Sequence, residues 1–190
     1  MKGRIWTLPN QITLLRLGFL PLFIVSISYE HYRWALVILV LAGLSDGADG
    51  LLARSLNQRS SLGAYLDPIA DKLLLSSSFV ILAFKHEISM WLMIFVLSRD
   101  VIILMVAVVV LLTYGYRPFP PSILGKCTTF AQIVMIFAVV LSAAYPHQYL
   151  LPIKTALIYT VATLTVSSAL HYSFSLARKL SSADSGDGAG

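Results

Sequence analysis

Asp46 and Asp49 stand three residues apart and Asp67 and Asp71 four apart, and either spacing puts two carboxylates on one face of a helix. The two pairs are symmetric about a break near Gln58. A helical hairpin turning there brings all four acids to one level, about 9 to 14 Å in from the helix ends at a rise of ~1.5 Å per residue. Four carboxylates converging without a matching cluster of lysines make a hard-oxygen site suited to magnesium or manganese. Gly50 and Ala53 are small and close to the register of the first pair, which lets a flat or bulky ligand approach the backbone, and Gly63 repeats the arrangement before Asp67 and Asp71. Arg54 lies near enough to the same face to reach a phosphate. The chemistry such a set suits is metal-assisted reaction at a phosphate ester. Two other readings stand beside it: small residues also serve close helix packing, and intramembrane acids also line the ion pathways of transporters.

The elements that must position these residues are helices in lipid. Of the 190 residues 57% are hydrophobic and 12% charged, too little polar surface for a water-soluble domain. Apolar stretches broken at five places leave six segments near the ~20 residues that a bilayer crossing needs. They predict an all-α polytopic membrane protein with spans over 12–28, 34–54, 61–84, 89–113, 123–144 and 150–174. An interfacial segment, 1–11, anchored by Trp6, precedes the catalytic membrane domain, 12–175, and a disordered tail, 176–190, follows it. The second and third spans compel the placement of the acids. Their uninterrupted apolar runs, 34–44 and 73–84, are too short to cross unless the helices continue through Asp46 and Asp49 and begin before Asp67 and Asp71. Four unpaired charges at the bilayer centre would cost on the order of 10 kcal/mol, so something must neutralise them.

Basic residues set the orientation. With both termini cytoplasmic, Lys2, Arg4, Arg54, Arg59, Arg117, Lys126, Arg178 and Lys179 fall inside, against Arg33, Lys85 and Lys154 outside, as the positive-inside rule requires. The net charge of +5 is therefore mostly topogenic, and because it is dispersed among loops it calls for no nucleic acid. Arg16 interrupts the first apolar stretch and no small-residue cleavage site follows, so that stretch is read as a retained span. The single cysteine, Cys127, excludes an internal disulfide. The four histidines read as solvated or interfacial, and Trp34, Trp91, Tyr149 and Tyr172 as interface belts.

Taken together the residues read Asp46-x2-Asp49-Gly50-x2-Ala53-Arg54-x8-Gly63-x3-Asp67-x3-Asp71, which closely resembles the signature of the CDP-alcohol phosphotransferase family of membrane enzymes. Pro9-Asn10 with Thr13 and Arg16 resembles the amino-terminal motif of the family's phosphatidylglycerophosphate and cardiolipin synthases, and Gly125-Lys126 with Thr129 and Gln132 resembles their fifth-span motif. Gly47 and Ala48 stand where bulkier residues are common. Asn57-Gln58-Arg59-Ser60 and Ser98-Arg99-Asp100 look more like the CMP-forming cardiolipin synthases.

The resemblance implies a phosphatidyltransferase that moves the phosphatidyl group from CDP-diacylglycerol to glycerol 3-phosphate and releases CMP. The alternative acceptor is phosphatidylglycerol, and the alternative of another class is a small ion-coupled transporter. It further implies two divalent cations, Mg2+ or Mn2+, on Asp46, Asp49, Asp67 and Asp71, with Asp71 also the general base. Gly50, Ala53, Arg54 and Gly63, with Asp46 and Asp67, would hold the CDP-diacylglycerol. Since both acceptors carry a phosphate, the leftover cations Arg16, Arg99 and Lys126, with Asn10, Thr13 and Thr129, become acceptor-binding candidates. The alternative readings are that Arg99 pairs with a carboxylate and that Lys126 snorkels to the interface. Lys72 either faces away from Asp71 or tunes its charge. Membrane lipids as partners, a homodimer and a place in the bacterial inner membrane, or the mitochondrial inner membrane of a eukaryote, with the active site facing the cytoplasm, complete the expectation.

Overall fold

The computed structural model describes the backbone of residues 8–55, 61–114 and 123–184 and the side chains of 14–45, 70–105 and 123–170. Within them the chain is all-helical: α1 (Leu8–Ser28), α2 (Tyr32–Ser55), α3 (Ser61–Phe84), α4 (Met90–Tyr114), α5 (Ile123–Ala144) and α6 (Leu150–Asp184). The bounds of α3 and α5 coincide with the expected spans. The first helix starts at Leu8, four residues early, and α6 continues ten residues past its expected end, through Leu176, Ala177, Arg178, Lys179 and Leu180, all good helix formers.

Hydroxyl groups inside the helices bond back to their own backbone. Ser78 donates to the Leu74 carbonyl at 2.7 Å, Thr128 to Leu124 at 2.7 Å and Thr160 to Ala156 at 2.8 Å, so these polar atoms need no water. Two inter-helix turns share a motif. Glu30 N–H bonds to Ile27 C=O (3.0 Å) and His31 N–H to Ser26 C=O (2.8 Å), while His86 N–H bonds to Ala83 C=O (3.0 Å) and Glu87 N–H to Leu82 C=O (2.9 Å). Both are Schellman caps, and the residue at the left-handed position, normally glycine, is Glu30 (φ 63°) in one and His86 (φ 58°) in the other.

The helices close a ring in the order α1, α2, α5, α6, α4, α3, with α3 and α5 touching across it. Phe23, Ile27, Phe79, Leu82, Leu92, Met135, Val139 and Val161 fill its interior. Among the described residues α2 and α3, neighbours in sequence, make no close backbone contact. The polarity of the bundle is the reverse of that of a water-soluble protein: Arg16 and Arg99 are buried, whereas Leu104 and Phe130 are 65% and 68% exposed. Among the described residues two helical stretches, Ile123–Ala144 and Leu150–Leu170, are long and apolar enough to cross a membrane, and the apolar stretches Leu14–Ser28 and Tyr32–Ser45 are shorter.

The end of the bundle that carries both Schellman turns is tied by charge. Lys85 pairs with Glu30 at 3.0 Å and Lys154 with Glu87 at 2.8 Å, and the Arg33 guanidinium lies over the Tyr145 ring, 5.3 Å from its centre. Tyr32, the first residue of α2, sits in this cluster. Burial, and then the negative charge and hydrogen bond of Glu87, push its phenol up to about 12.

Candidate active site

The site is built at the opposite end, around Asp71 in the first half of α3. Arg16, on the first half of α1, donates a hydrogen bond to Asp71 Oδ1. The guanidinium is 2% exposed and the carboxylate 47%. A buried arginine demands an anion, because an uncompensated charge away from water is among the costliest defects a fold can carry. Arg16 therefore fixes where the Asp71 side chain stands, and the carboxylate remains half-exposed.

Both line one cavity of about 440 Å³ between α2, α3 and α5. Its polar end holds Arg16, Asp71 and Thr129, and its walls are Leu39, Val40, Leu74, Ile133 and Phe137. Thr129 donates its hydroxyl to the Gly125 carbonyl at 3.1 Å, leaving the oxygen lone pairs directed toward other donors. A compartment with one charged end and long apolar walls matches an amphiphile, with a head group at the charges and a chain along the walls.

A second polar cluster lies on the other side of α3. Lys72, next to Asp71 in sequence, reaches Asp100 Oδ1 of α4 at 2.5 Å. The same oxygen accepts from Arg99 Nη1 at 2.9 Å, and Arg99 Nη2 donates to Ser168 Oγ of α6 at 3.0 Å. Arg99 is 5% exposed and Ser168 fully buried, so three helices meet in one network. Without Asp100, Arg99 would keep only a neutral partner, a situation that costs roughly 3 to 5 kcal/mol in a buried pair. The Nε of Arg99, like Nε2 of Gln132, has no hydrogen-bond partner among the described residues.

Of the residues singled out by sequence, Arg16, Asp71 and Thr129 are thus brought together. Arg99 is placed apart from them, in the α4 to α6 contact, and Lys126 is exposed near the start of α5. Lys72 does face away from Asp71, toward Asp100. The side chains of Asn10, Thr13, Asp46, Asp49, Gly50, Ala53, Arg54, Gly63 and Asp67 lie outside the described set, although their backbones are helical. Asp100 enters the sequence analysis only within the Ser98-Arg99-Asp100 motif, and Ser168 not at all. The signal for Asp100 was present, since it is the one acid in α4; Ser168 had none.

A family model for CDP-alcohol phosphatidyltransferases matches residues 6–171 of this chain, a region that includes the acids and every residue of both polar clusters. The chain belongs to that family. Among the relatives of this family member, the CMP-forming cardiolipin synthase of Streptomyces coelicolor is 41% identical over 133 residues, 67% of this chain and 61% of the relative. The human CMP-forming cardiolipin synthase is 30% identical over 187 residues, 89% of this chain and 62% of the relative. A probable phosphatidylglycerophosphate synthase of Mycobacterium tuberculosis is 34% identical over 170 residues, 85% of this chain and 80% of the relative. The chain thus spans about three fifths of the length of the two cardiolipin synthases.

Proposed function

We propose that the protein transfers the phosphatidyl group of CDP-diacylglycerol to the hydroxyl of a second alcohol, releasing CMP, in phospholipid biosynthesis. The observation that carries this reading is the placing of Arg16, Asp71 and Thr129 at the polar mouth of an apolar cavity, within a chain matched by the family over 6–171. In the reaction the acceptor oxygen bonds to the phosphorus that bears diacylglycerol, and the bond from that phosphorus to the CMP oxygen breaks. Asp71 takes the hydroxyl proton, and Arg16 holds the carboxylate in position while it does so. The apolar walls receive acyl chain and limit water, which would otherwise compete as acceptor. Gly50, Ala53, Arg54 and Gly63 complete the nucleotide side. Two divalent cations, Mg2+ or Mn2+, held by Asp46, Asp49, Asp67 and Asp71, would neutralise charge on the phosphate oxygens. A half-exposed oxygen donor such as Asp71 fits ions that keep water in their coordination shell.

The acceptor we favour is phosphatidylglycerol, on the 41% identity to a cardiolipin synthase and the Ser98-Arg99-Asp100 sequence. Glycerol 3-phosphate is the second reading, supported by the match over 80% of a phosphatidylglycerophosphate synthase. In either case six membrane spans, a cytoplasm-facing site in the bacterial inner membrane or its mitochondrial equivalent, and a homodimer accompany the activity. The test supplies labelled CDP-diacylglycerol with each acceptor in turn and identifies the lipid formed. Cardiolipin, lost on chelation and restored by magnesium or manganese, is the expected product, and phosphatidylglycerophosphate would transfer the assignment to the second reading. Metal-dependent solute flux with no CMP released would make the acids a transport pathway instead.

A further inference from the structure

In the helix ring α3 stands between α1 and α4. Asp71 is drawn to Arg16 on α1, and the next residue, Lys72, to Asp100 on α4. Successive side chains on an α-helix point about 100° apart, so a single tether leaves the helix able to roll about its axis. Opposed tethers on adjacent residues do not. The α4 tether is itself anchored, because the Asp100 oxygen that receives Lys72 at 2.5 Å also receives Arg99 at 2.9 Å, and Arg99 is fixed on Ser168 of α6 at 3.0 Å. Two cations on one carboxylate oxygen make Asp100 the common point of the network.

We infer that Asp100 is a positioning residue for the transfer reaction: through Lys72 it sets the rotation of α3 that keeps the Asp71 carboxylate at the cavity mouth. It rests on the proposed transferase reading and adds to it a residue that touches neither cavity nor substrate. An error of about 1 Å in the placement of a reacting group costs on the order of 100-fold in rate, so a small roll of α3 is enough to be felt in turnover. The same roll moves Gly63, Asp67 and the wall residue Leu74, all on α3, so CDP-diacylglycerol binding weakens with it, but less than turnover, because the contacts from α2 stay in place.

The experiment is steady-state kinetics of CMP release on purified full-length protein in lipid micelles, with melting temperatures measured alongside, for Asp100→Asn, Lys72→Met, the double variant and Asp100→Glu. Each single variant should lose on the order of 100-fold in kcat, with a smaller rise in the KM for CDP-diacylglycerol. The double variant should be no slower than the slower single, because both break one link. Asp100→Glu, which keeps the charge on a longer arm, should recover part of the rate. If Asp100→Asn does not fold, Lys72→Met, at a half-exposed side chain, carries the test alone. Variants that melt lower yet turn over at the wild-type kcat would show a purely structural link and overturn the inference, as would losses that multiply in the double variant. Absence of CMP release from the wild type would sink the transferase reading itself, a different outcome from undiminished turnover in Asp100→Asn.

Discussion

At the scale of single residues, burial and exposure divide the labour within each ion pair. Arg16 is inside and Asp71 half outside, which in the proposed reaction suits the cation to positioning and the anion to proton transfer. Asp71→Asn keeps the shape and the hydrogen-bond acceptor but removes the base. Turnover should fall by at least the 10²- to 10⁴-fold that a positioned general base contributes, with nucleotide binding retained, as measured by CMP release and by equilibrium binding of CDP-diacylglycerol. Turnover at the wild-type rate would remove Asp71 from the base role. The candidate set was legible to the extent that it depended on spacing within one helix, as for the four aspartates. Partners on different helices, such as Lys72 with Asp100 or Arg99 with Ser168, depend on how each helix is rotated, and no local periodicity encodes that.

At the scale of elements, the helix positions followed from the lengths of apolar runs, which is why α3 and α5 begin and end where expected. The start of α1 and the end of α6 did not: α1 opens with Pro9 in its first turn, where proline is accepted, and helix formers beyond the last apolar run extend α6 without needing lipid. The turns carry information of another kind. His86 is exposed and left-handed at a cap position made for glycine, and the strain of such a conformation in an L-residue is roughly 1 kcal/mol. His86→Gly should raise the melting temperature, since the same cap then forms without a Cβ clash; an unchanged or lower value would mean that the histidine has a role of its own. Tyr32, just outside the α2 span, gives a pH signature. Its native state holds a proton between the ordinary value of 10.0 and about 12, while the unfolded chain has already released it. Its contribution to stability is therefore whole below about pH 10 and is lost as pH climbs toward 12. A tyrosinate absorbance titration should show one late-ionising phenol that disappears in Tyr32→Phe.

At the scale of the whole molecule, the two ends of the bundle are built differently. One end is closed by short capped turns and by three cross-connections, Glu30 to Lys85, Glu87 to Lys154 and Arg33 to Tyr145. The other contains the cavity and Asp71. A bundle fastened at one end and hollow at the other behaves like tweezers: the joint lies at the turns, and whatever widens to admit a lipid must do so by swinging about it. Backbone amides of residues 82–88 should then exchange hydrogen more slowly than those of residues 70–75, and faster exchange at the turns would relocate the fulcrum.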